Sequence, residues 1–203
     1  MAGEALIVVD VQNDFLPGGA LAVPDGDLIL PTVYALMMRF DHVILTQDWH
    51  PQNHQSFASN HQGFSPYDTI TVDYGPQTLW PDHCVQGSNG AALHGSLPVD
   101  KAEMIIRKGM DPAIDSYSAF FENDRKTPTG LRGYLKERGL NKLTFCGLAT
   151  DFCVAYSALD AKNCGFEVSV ALAACAGIDL NGSLDLMLKT MNDSGIELLM
   201  GAL

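Results

Sequence analysis

The chain is expected to be an α/β protein with a mostly parallel sheet covered by helices on both faces. Three observations predict this. Short apolar runs alternate with helical patterns along the chain. The first run, ALIVVD, lacks polar alternation, as a strand buried on both faces does. The alternation is sustained through to the last run, IELLM.

In chain order, ALIVVD is the first strand. Residues from Asp25 to Phe40 read as a helix disturbed by Pro31. HVILTQ is the second strand, EMIIRKG the third, TPTGLRGYLKERG a helix and KLTFCG the fourth strand. A helix is expected from Thr150 to Cys164, a fifth strand at FEVSVAL, a helix at SLDLMLKTMND and a last strand at IELLM. The stretch from Asp48 to Pro98 breaks the rhythm. Rich in His, Pro, Asn, Gln and Gly, it reads as one long loop of the kind that serves a function. It holds five of the six histidines, His50, His54, His61, His83 and His94.

The 203 residues suit one domain, 1–203, with a sizeable core, and 47% apolar content excludes disorder as the main state. Twelve basic against 24 acidic residues give a net charge of −12, which argues against nucleic acid or an anionic membrane as partner. No apolar run approaches the roughly 18 residues of a membrane span. The start, MAGEALIVVD, has an acidic residue where a signal peptide needs basic ones. Five cysteines, an odd number, point to a reduced cytoplasmic protein.

In open parallel sheets, ligands bind beyond the carboxyl ends of the strands. Three reactive residues fall there. Asp10 ends the first strand, Lys108 follows the third, and Cys153 lies in the first turn of the helix after the fourth. A helix start offers unpaired N–H groups and a partial positive charge, which favour a thiolate. Thr150 and Asp151 are candidate caps of that helix. Asp10 is placed to exchange the thiol proton, Lys108 to balance charge, and the backbone N–H groups of Ala149 and Cys153 to hold an oxyanion. Cys84, Cys146, Cys164 and Cys175 read as small buried apolar residues.

A second constellation suits a metal. Asp48 and His50, two apart in extended backbone, point to one side, and His83 supplies a third ligand. Spacing alone leaves Asp82 open as an alternative, while His54, His61 and His94 read as solvated or hydrogen-bonded.

The segments VVDVQNDFLPGGAL, TQDWHPQNHQSF, LWPDHCVQGSNGA, IIRKG, SYSAF and GLATDFCV, in this order, resemble the nicotinamidase/pyrazinamidase branch of the isochorismatase-like cysteine hydrolases. The resemblance spans nearly the whole chain. It implies a three-layer α/β/α fold with a six-stranded, mostly parallel sheet, and hydrolysis of nicotinamide to nicotinate and ammonia through a cysteine thioester in NAD salvage, with pyrazinamide as a second substrate. It also implies a catalytic set of Asp10, Lys108 and Cys153. One divalent ion, zinc ahead of iron or manganese, would sit on Asp48, His50 and His83 with waters, and Ser56 would lie just behind those ligands. Phe15, Leu21, Trp80 and Tyr117 would line the pocket for a flat aromatic ring. A cis peptide is expected at Leu148–Ala149. The partner is then a small molecule, and assembly into a homo-oligomer is left open. Another amidase of the family, or a non-catalytic binding module on the same fold, are the rival readings. A dinucleotide-binding oxidoreductase is discounted, because no GxGxxG follows the first strand.

Overall fold

A computed structural model describes residues 3–201. Met1 and Ala2, which the sequence reading runs straight into the first strand, lie outside the described residues. Six strands form one sheet: β1 (Gly3–Val9), β2 (Val43–Asp48), β5 (Met104–Lys108), β6 (Leu140–Leu148), β7 (Glu167–Ala176) and β8 (Glu197–Leu199). Their spatial order is β5-β2-β1-β6-β7-β8, and every pairing is parallel. The chain works outward from β1 to one edge, then returns to β6 and works outward to the other. Strand order therefore reverses between β1 and β6, which is where such sheets open a crevice.

Helices cover both faces, as the unbroken apolar run of β1 requires. Ala5, Ile7 and Val9 pack with α2 (Leu131–Glu137) and α3 (Ala155–Asn163), and with Met191 of α4 (Ser183–Asp193). Leu6 and Val8 face the other way, onto Val33, Leu36 and Met37 of α1 (Leu30–Arg39). The two-residue period of the strand thus divides one run between two cores. Gly147, at φ +114°, permits the close approach of β6 to β1: a Cβ there would lie 2.1 Å from the Val9 carbonyl oxygen. No helix among the described residues is long and apolar enough to cross a membrane.

Several boundaries differ from expectation, each for a local reason. The helix expected from Asp25 begins at Leu30, because Pro31 fits only the first turn. That expected from Thr127 begins at Leu131, after Pro128 and a left-handed Gly130, with the Thr129 hydroxyl accepting the Leu131 N–H at 3.2 Å. The helix expected from Thr150 opens with a wide turn, in which the Val154 N–H donates to the Ala149 carbonyl five residues back. The supposed unbroken loop from Asp48 to Pro98 contains an antiparallel hairpin, β3 (Thr69–Val72) with β4 (Gly75–Thr78). Its four-residue strands carry too few apolar positions to show a period.

Candidate active site

Parallel pairing sets the end residues of neighbouring strands side by side. Asp48 closes β2 and Lys108 closes β5, and the two are register partners. Asp10 follows β1, one strand away, with its backbone left-handed at φ +47°. Its N–H donates to the Thr46 hydroxyl, and that hydroxyl donates to Asp10 Oδ1. Cys153 enters from the far side of β1, on the wide turn after β6. The residues converge on one atom. Lys108 Nζ lies 2.9 Å from Asp10 Oδ2, 3.0 Å from the Ser116 carbonyl and 3.4 Å from Cys153 Sγ, and it also contacts Asp48 Oδ1. Asp10 and Lys108 are fully buried.

The charges follow from this packing. Burial alone would drive the Lys108 proton off, but Asp10 and Asp48 outweigh it and hold the ammonium well above its ordinary range. Burial opposes ionisation of Asp48, yet Lys108 and His50 keep that carboxyl well below the usual range. Asp10 goes the other way. Burial, helped by the neighbouring Asp48, raises it against the pull of Lys108. Burial also pushes the Cys153 thiol well up, with Lys108 opposing and the two aspartates adding to the rise. Lys108 and the helix start are the features that favour the thiolate against this rise. Asp151 does not cap the helix, since no side chain caps this turn.

A few ångströms on, Asp48 Oδ2 stands 3.5 Å from His50 Nε2 and 3.8 Å from His83 Nε2. The far nitrogen of each ring faces a carbonyl. His50 Nδ1 is 2.9 Å from Gly109 O and His83 Nδ1 2.8 Å from Pro81 O. Against burial, Asp48 raises the pKa of His50; when the rings are neutral with Nδ1 donating, each Nε2 offers a lone pair to its neighbours. One carboxylate and two such imidazoles fit a borderline divalent ion, and their ligand atoms lie within 4.8 Å of one another. Two other groupings of potential ligands are as compact but do not fit. The Lys108 ammonium already lies among Asp10, Asp48 and Cys153, and in the grouping of His50, His54 and Asp115 both His54 nitrogens are engaged. Asp82, open as a ligand by spacing, instead accepts the Ser59 hydroxyl at the surface. Ser56 is buried behind the ligands with its hydroxyl 2.7 Å from His54 Nδ1, and the His54 ring stacks 4.3 Å from that of His50.

Both clusters open onto one narrow cavity. Phe15, Leu21, Trp80 and Tyr117 line it, as the resemblance implies, together with Ala149 and Cys153. Trp80 donates its indole N–H to the Tyr117 hydroxyl at 3.2 Å and meets Phe152 edge-on at 5.0 Å. The Leu148–Ala149 peptide is cis. Sequence reasoning missed Asp115, Ser116, Phe152 and Ile178, which also form the wall. Ser116 and Phe152 lie within SYSAF and GLATDFCV and Asp115 just before the first, which could have drawn attention to them, but Ile178 carries no signal.

The family description "Isochorismatase domain" matches residues 4–202. A nicotinamidase of Acinetobacter baylyi is 56% identical over 193 residues, covering 95% of this chain and 90% of the relative. Among solved structures, a nicotinamidase/pyrazinamidase of Acinetobacter baumannii superposes with a TM-score of 0.96 at 55% identity, covering 98% and 96% of the two chains. A pyrazinamidase of Pyrococcus horikoshii, solved in complex with zinc, superposes with a TM-score of 0.79 at 37% identity, covering 98% and 99%.

Proposed function

The chain belongs to the isochorismatase-domain family, and on that premise we infer that it is a nicotinamide amidohydrolase whose nucleophile is Cys153. It hydrolyses nicotinamide to nicotinate and ammonia, and pyrazinamide in the same way. One observation carries the residue assignment: a single ammonium, Lys108 Nζ, bridges Asp10, Asp48 and Cys153 beside a narrow aromatic-walled cavity.

The carboxamide lies over Cys153, with the flat ring held among Phe15, Leu21, Trp80 and Tyr117. Asp10, raised by burial, takes the thiol proton as sulfur attacks the amide carbon. Oxygen, now negative, faces the N–H groups of Ala149 and Cys153. The C–N bond breaks, Asp10 returns the proton to nitrogen, and ammonia leaves a thioester. Water gives a proton to Asp10 and attacks, the C–S bond breaks, and the proton passes to sulfur. Lys108 stays charged throughout and holds Asp10 in reach.

Asp48, His50 and His83 would hold one divalent ion, zinc first by the nature of the ligands and by the zinc-bound relative. When bound, it supplies a Lewis-acid site for the ring nitrogen and so fixes the ring's orientation. The long 48–98 segment is then the metal-binding region. A reducing, cytoplasmic setting and a place in pyridine nucleotide salvage belong to the same proposal, supported by the odd number of cysteines and by the product acid.

Ammonia release from nicotinamide, measured with wild type and Cys153→Ala, tests this. Turnover by wild type and none by the folded variant is expected. Substantial amidase activity in Cys153→Ala would sink the nucleophile assignment.

A further inference from the structure

Asp151 precedes Cys153 by two positions and is buried. Its carboxylate reaches away from its own helix. Oδ1 accepts the Ile178 N–H at 2.9 Å, and Oδ2 accepts the Asp179 N–H at 2.8 Å and the Ser183 hydroxyl. Two of these donors lie in the connection between β7, which ends at Ala176, and α4, and the third, Ser183, opens α4. No strand pairing holds this connection. It turns through left-handed backbone at Asp179, Asn181 and Gly182. At its start, Gly177 packs so tightly that a Cβ would come within 3.2 Å of Asp151 Oδ1. The connection delivers Ile178 to the cavity wall.

We propose that Asp151 is a positioning residue that latches the 177–183 segment onto the nucleophile turn, and that Ile178, held by this latch, sets the width of ring the cavity accepts. The proposal rests on the reading of that cavity as the substrate site. A carboxylate is the group the geometry requires. Three donors converge on two oxygens, and an amide would turn an NH₂ toward at least one of them. With the latch loosened, Ile178 loses its fixed place while Cys153, Lys108 and Asp10 keep theirs. Substrate binding and ring discrimination then suffer more than the chemical step.

The test uses Asp151→Asn, Ser183→Ala and Ser183→Thr in the full chain. Steady-state ammonia release is measured with nicotinamide and with a ring-methylated nicotinamide, and amide hydrogen exchange over residues 177–183 by mass spectrometry. Losing one hydrogen bond to a carboxylate is expected to raise KM about threefold in Ser183→Ala, and about tenfold in Asp151→Asn, with kcat changing less. The methylated substrate should gain relative to the parent, exchange at Ile178 and Asp179 should quicken, and Ser183→Thr should behave as wild type. Should Asp151→Asn not fold, Ser183→Ala and Ser183→Thr decide. Unchanged KM, ring preference and exchange in Ser183→Ala would overturn the latch, as would a fall confined to kcat. A wild type that releases no ammonia refutes the substrate reading instead, and exchange still tests the latch.

Discussion

Lys108 and Asp48 are register partners at the ends of two parallel strands, and their side chains touch. The ammonium that faces Cys153 therefore also holds the carboxylate of the Asp48, His50 and His83 grouping. The proposed catalytic and metal-binding halves share one ion pair, buried where water does not screen it.

Replacing Lys108 should damage both halves. Lys108→Met leaves two buried carboxylates without their cation, a change that costs about 3–5 kcal/mol when one partner of a buried pair is removed. The melting temperature should fall by roughly 10 °C, and kcat by about 1,000-fold or more. Thermal melts and ammonia release check both. A variant with near wild-type kcat would remove Lys108 from the mechanism.

Gly109 follows Lys108 at φ +64°, and a Cβ there would lie 2.3 Å from His50 Cε1. Its carbonyl also receives the His50 ring nitrogen. Gly109→Ala should push the imidazole out of line and lower metal affinity about 10- to 100-fold, the range seen when a partner behind a metal ligand is lost. Competition with a chromophoric chelator reads this directly. Unchanged affinity would show that His50 does not ligate.

Ring nitrogen should matter to selectivity. Benzamide lacks it and should be hydrolysed with kcat/KM about 100-fold below nicotinamide or less, as sites built to bind a polar atom reject analogues without one. A chelator should depress nicotinamide turnover far more than the residual benzamide turnover. Equal rates on the two amides would contradict an orienting role for the metal.

His54 should make stability depend on acid. Burial and then the adjacent His50 lower its pKa to about 4 from the ordinary 6.5. Its neutral ring serves both neighbours, with Nε2 donating to the Ile114 carbonyl and Nδ1 accepting from Ser56. Between those two pH values the unfolded chain binds the proton and the folded chain does not, so stability rises with pH. This contribution is complete above 6.5 and is lost as pH falls from 6.5 toward 4. Urea unfolding at pH 7 and pH 5 should show wild type losing about 2 kcal/mol more than His54→Gln. Equal losses would mean that His54 titrates normally.

Much of this was legible in the chain. The apolar runs locate all six strands of the main sheet, and strand ends and Asp-x-His spacing single out Asp10, Lys108, Cys153, Asp48 and His50, with His83 beside them, which the fold brings together. The short hairpin of Thr69–Thr78 escaped notice, because four-residue strands carry almost no period. Ile178 escaped because a lone apolar residue beside a turn looks like any other, and Asp151 was read as a cap because capping is the local use of an aspartate at a helix start.

Sequence alone determined what acts within a segment: the period that makes ALIVVD a doubly buried strand, the proline and glycines that delay helices, and the donor types that suit a thiol and a borderline metal. Tertiary structure decided what depends on neighbours far along the chain. Strand order laid Asp48 against Lys108, sixty residues apart, and the wide turn brought Cys153 to the same ammonium. Burial raises that thiol's pKa, a contribution no local pattern carries. Propensity is a local quantity, whereas desolvation and Coulomb energy depend on distances that only the folded sheet sets.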